Sequence, residues 1–87
     1  MTAHVYHQIK RFLKDSFFMN PEYINPHKSF VNDLGLSTLE FWEVIAVLEN
    51  TYHITLPDHQ LSPGLTVKEV CRLVEYQLVH NHELVLV

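Results

Sequence analysis

From Val5 onward the apolar residues fall at Val5, Ile9, Phe12, Leu13 and Phe17, the i, i+4, i+7, i+8, i+12 stripe of an amphipathic helix. Thr2 supplies an N-cap and Asn20-Pro21 a stop, so the pattern predicts a first helix over roughly residues 3 to 18. A second stripe, Phe41, Ile45, Leu48 and Tyr52, follows without glycine or proline until Pro57 and should face the core. The same helix carries another apolar line, Leu39, Trp42 and Ala46, on a neighbouring face, more apolar surface than one core contact needs. Val67, Val70, Cys71, Val74 and Leu78 make a third buried stripe, ending at about residue 79.

The starts of the two later helices carry their own signal. Ser37-Thr38-Leu39-Glu40 fits the capping box, with the Ser37 hydroxyl accepting from the Glu40 amide and the Glu40 carboxylate reaching back. Thr66-Val67-Lys68-Glu69 repeats that logic. Pro57-Asp58 opens a short turn of helix that Pro63-Gly64 ends. Residues 19 to 36 hold Pro21, Pro26 and Gly35 and form a long connection, which Phe30, Val31 and Leu34 tuck onto the core. The expected fold is all-α: a small antiparallel four-helix bundle, three long helices and one short, with a long first loop. Residues 1–79 make one domain and residues 80–87 a tail, "HNHELVLV", whose apolar end either packs back or forms a contact.

Composition agrees with this. At 87 residues, 47% hydrophobic and with two glycines, the chain suits one compact helical core. A net charge of −4 argues against nucleic acid, which wants a basic surface. No Lys or Arg lies between Lys28 and Lys68, whereas Asp33, Glu40, Glu43, Glu49 and Asp58 all do; this is either an acidic face that steers basic partners or an ordinary solvated one. The single cysteine and the absence of a long apolar run or a signal-peptide pattern lead us to expect a cytoplasmic protein without membrane insertion.

Catalytic chemistry finds little support. The seven histidines include the pairs His4/His7 and His80/His82, but neither has a third ligand at a familiar spacing, so no metal site is expected. Cys71 lies in an apolar stripe and reads as a buried inert thiol. No Gly-x-Ser-x-Gly elbow or phosphate-cradling glycine loop is present, and we expect no enzyme. What remains is a hydroxyl at the start of the second long helix, open to modification by another protein.

Residues 29 to 58, "SFVNDLGLSTLEFWEVIAVLENTYHITLPD", resemble the acyl carrier protein family in their Phe-containing loop, Asp-Leu-Gly, a hydroxyl-Leu pair, an acidic helix with Leu48-Glu49, and Pro57-Asp58. "LTVKEVCRLVEYQL", residues 65 to 78, resembles the family's last helix. The resemblance implies an acyl-carrier-like bundle that holds acyl groups as thioesters on a 4′-phosphopantetheine arm for fatty-acid or polyketide-like biosynthesis. It implies attachment at Thr38, because Ser37-Thr38-Leu39 stands where the family has Asp-Ser-Leu. Ser37, which can cap the helix as that Asp does, is the alternative attachment point. The β-methyl of Thr38 crowds its hydroxyl, so a degenerate, unmodified docking module is the alternative reading. Leu39, Glu40, Trp42, Glu43, Ala46 and Glu49 are the implied docking residues, with Trp42 either a contact hot spot or a core aromatic. The implied partners are a phosphopantetheinyl transferase, acyl-processing enzymes with basic docking surfaces, and an acyl chain lying among Phe12, Phe30, Ile45, Leu48, Tyr52, Leu56, Val70 and Val74; a monomer is expected. The Asn32-Asp33-Leu34-Gly35 lead-in resembles the fatty-acid and polyketide type rather than a peptidyl carrier.

Overall fold

The computed structural model describes residues 3–86, with side chains described for residues 3–80. Its regular structure is helical: α1 spans Ala3–Phe17, α2 Thr38–Tyr52 and α3 Val67–Leu86. Val5, Ile9 and Leu13 of α1, Phe41, Val44, Ile45 and Leu48 of α2, and Val67, Val70, Cys71 and Val74 of α3 close a single core. The predicted stripes supply most of it. Phe12 and Tyr52, expected inside, are only partly buried, and the Tyr52 hydroxyl hydrogen-bonds His4 Nδ1 at 2.8 Å.

The short fourth helix expected after Pro57 is a single 3-10 turn, Asp58–Gln60. Leu61 is buried immediately after it, so the chain turns inward before an α-helical turn can close. A matching 3-10 turn, Pro21–Tyr23, is capped by the Asn20 side chain, which accepts from the Glu22 amide. At the other end α3 does not stop near residue 79 but continues to Leu86, so the backbone of the expected tail extends that helix. The contact expected of its apolar end, and the His82 half of the His80/His82 pair, lie outside the described side chains.

The long connection is organised around Ser29. Its backbone carbonyl accepts from the amides of Asp33 and Leu34, its hydroxyl accepts from the Asn32 amide, and its own amide donates to the Asp33 carboxylate at 2.7 Å. Ser29 also forms a β-bridge with Thr66, and the Phe30 amide donates to the Leu65 carbonyl. The loop that delivers α2 is thereby pinned to the start of α3. Phe30, fully buried, anchors it against Phe41 with ring centroids 5.6 Å apart. Gly35 then takes φ +76°, a turn conformation that favours glycine, just before the α2 cap.

Candidate functional site

The start of α2 is built by the predicted capping box. Ser37 takes an extended conformation, its Oγ accepts from the Glu40 amide at 3.1 Å, and Glu40 Oε1 accepts from the Ser37 amide at 2.8 Å. Both side chains are therefore bonded to the helix end they define, satisfying amides that an uncapped helix would leave without partners. Thr38 is the first helical residue and is exposed, next to a hydroxyl already in use. A helix N-terminus also favours an anion, so a phosphodiester on Thr38 would sit in a favourable field. These features fit a phosphopantetheine group: an accessible hydroxyl at a rigid, positively polarised helix end, with no competing intrahelical role for that side chain among the described bonds.

The other implied docking residues occupy one side of α2 but differ in availability. Leu39 is 70% exposed, Ala46 and Glu43 are exposed, and Trp42 is 37% exposed. The indole thus belongs neither wholly to the core nor to the surface: its ring meets the buried Phe41 ring edge to face at 5.2 Å. Glu49 was read from the sequence as a docking acid, yet its Oε2 accepts from the Leu56 amide at 2.8 Å. Its backbone carbonyl takes the amides of His53 and Ile54, where His53 turns left-handed at φ 55°. This carboxylate closes the C-terminal end of α2 as the Glu40 carboxylate closes the other. No sequence signal pointed to the Leu56 amide, because the pairing depends on the chain reversal at His53.

Of the residues expected to line an acyl chain, Phe30, Val70 and Val74 are fully buried. Phe12 and Leu48 of that set line a cleft of about 260 Å³ between α1 and α2, with Ile9, Val44 and Val47 beside them and Gln8, Arg11, Asp15, Ser16 and Thr51 at its rim. Cys71 is buried in the core, and desolvation, with a smaller contribution from Glu75, pushes its thiol up to about 12. It is a packing residue, protonated at neutral pH. His4 is engaged with Tyr52, and His80 Nδ1 donates to the Tyr76 carbonyl at 2.9 Å while its ring stacks on Tyr76. Among the described residues no group of three potential metal ligands is assembled, and no helix is long and apolar enough to cross a membrane.

Comparison with known proteins agrees with this arrangement. Residues 7–74 match the family model described as a phosphopantetheine attachment site. The acyl carrier protein of Wolinella succinogenes is 31% identical over 71 residues, 82% of this chain and 93% of the relative. That of Coprothermobacter proteolyticus is 30% identical over 85% of this chain and 90% of its own length. That of Clostridium acetobutylicum is 29% identical over 91% and 99%. A match across most of both chains, on a helical scaffold with an exposed hydroxyl at the α2 start, places the protein by family: it belongs to the acyl carrier proteins, which are carriers rather than enzymes and whose prosthetic group is 4′-phosphopantetheine.

Proposed function

We propose that this protein is a cytoplasmic, monomeric acyl carrier for fatty-acid or polyketide-like biosynthesis, with the phosphopantetheine arm attached to Thr38. The observation that supports Thr38 over Ser37 is the capping box: Ser37 Oγ is bonded to the Glu40 amide, whereas the Thr38 side chain is exposed one residue further on. Releasing Ser37 for modification would cost about 1 kcal/mol of cap. When bound, the arm supplies a terminal thiol that holds acyl groups as thioesters. The chain's own contribution is to hold the hydroxyl at a fixed helix end, stabilise the adjacent anion through the α2 N-terminus, and offer apolar surface to the acyl chain.

Docking to a transferase and to acyl-processing enzymes is assigned to the exposed side of α2, through Leu39, Trp42, Ala46 and Glu43. Glu40 contributes charge while it caps the helix. Glu49 adds to the acidic field only from its place in the helix terminus. With fewer free carboxylates, this surface relies more on apolar contact than on ion pairs.

A second reading, an unmodified docking module, is favoured by the secondary hydroxyl of Thr38, whose β-methyl restricts χ1 and crowds the attacking oxygen. Intact mass after co-expression with a broad-specificity phosphopantetheinyl transferase separates the two. Attachment at Thr38 gives the mass of the arm on the native chain and none on Thr38→Ala. A native chain that stays unmodified while Thr38→Ser gains the arm establishes the docking reading instead. Modification retained in Thr38→Ala but lost in Ser37→Ala places the arm on Ser37.

A further inference from the structure

We propose that the exposed part of the Trp42 indole is a platform for the apolar portion of an arm on Thr38 and for the first carbons of its acyl cargo. The inference rests on the attachment reading above. It starts from helical register: Phe41 and Trp42 are the i+3 and i+4 neighbours of Thr38, the positions adjacent to it on the helix surface. Their rings meet edge to face at 5.2 Å. Long helical side chains also lean toward the preceding turn, here the turn that bears Thr38.

The indole is braced from within. Phe41 is fully buried and packs on Phe30 with centroids 5.6 Å apart, so Trp42 caps a chain of three aromatic rings running from core to surface. Part of its surface remains open, at 37% exposure. A braced ring offers a flat apolar surface with little rotamer freedom left to lose on contact. The charged phosphodiester stays with the helix N-terminus, while the methyl and methylene groups beyond it gain by covering the indole. Such a platform favours acyl groups with an aliphatic or aryl body over short polar ones.

Trp42 is the only tryptophan in the chain, so intrinsic emission reports on this site alone. Acrylamide quenching is to be measured on the unmodified native protein, its arm-bearing form and its octanoyl and acetyl forms, each verified by mass. The octanoyl form should lose about twofold in quenching constant, as expected when a partly exposed indole is covered, with a smaller loss for the arm alone and for acetyl. Cleavage of the octanoyl thioester by hydroxylamine should accelerate in Trp42→Ala and recover toward the native rate in Trp42→Phe. Equal quenching constants in mass-verified unmodified and octanoyl forms overturn the platform. So does protection that appears only when a partner protein is added, which makes Trp42 a docking contact. Absence of the arm's mass on the native chain removes the attachment reading first, and the platform with it.

Discussion

Replacing Glu49 by alanine should destabilise the protein by an amount set by one hydrogen bond. Glu49 Oε2 accepts from the Leu56 amide at 2.8 Å, and Leu56 is 1% exposed. A buried amide deprived of its acceptor costs on the order of 1–3 kcal/mol. Glu49 itself is only partly buried, so water can recover part of the loss and the expected cost is about 1.5 kcal/mol. For a domain of this size that corresponds to a fall in Tm of roughly 6–12 °C. Glu49→Gln retains a carbonyl acceptor and loses only the charge assistance, so its cost should stay below about 1 kcal/mol. Glu43→Ala, at an exposed position on the same helix, should change stability by less than about 0.5 kcal/mol. Urea unfolding followed by far-UV circular dichroism gives the three values, and hydrogen exchange at the Leu56 amide gives the local one. If Glu49→Ala matches Glu43→Ala and Leu56 stays equally protected, the carboxylate does not brace the helix end.

Three further predictions concern the α2 cap and the buried thiol. Ser37→Ala should cost about 0.5–2 kcal/mol, and Ser37→Asp should recover most of it, since Asp is an equally good N-cap; chemical unfolding measures both. Cys71 should resist iodoacetamide at pH 8 in the native protein and react readily in urea, a contrast read by mass. Its thiol is raised from 9.0 to about 12, so above pH 9 the unfolded chain binds fewer protons than the native one. Stability is then fully present below pH 9 and is lost as pH rises toward 12, with Tyr6 and Tyr52, also raised by burial, acting in the same direction. Cys71→Ala should make that alkaline decline shallower in a pH series of urea midpoints.

The elements that could be read from the sequence were those fixed by local chemistry. The α2 and α3 starts follow from Ser37/Glu40 and Thr66/Glu69, pairs three residues apart whose bonding needs nothing beyond one helical turn. The core stripes are likewise periodic over short distances. What escaped depends on where the chain goes next. The Pro57-Asp58 signal marks a helical start equally well for one turn or several, and the inward plunge at Leu61 decides for one 3-10 turn. Glu49 looked like a surface acid because its partner lies beyond the reversal at His53. Trp42 could be placed on either side of the helix until its contact with Phe41 fixed the balance at partial exposure. Phe18, with a positive φ of 56° and 89% exposure at the end of α1, had no sequence signal, and its backbone conformation is unfavourable for a bulky residue.

The division of labour between Ser37 and Thr38 bears on how this protein can change. The helix end is secured by Ser37 and Glu40, and the preceding loop by Ser29 and Asp33, so the fold places little demand on the side chain at position 38. Threonine and serine there differ by one exposed methyl group, a difference worth little to folding, and on the attachment proposed above it is the difference a transferase meets at the attacking oxygen. On that proposal, selection acts on loading at this position without first having to preserve the architecture, and single substitutions there remove or restore an arm while the rest of α2 stays unchanged.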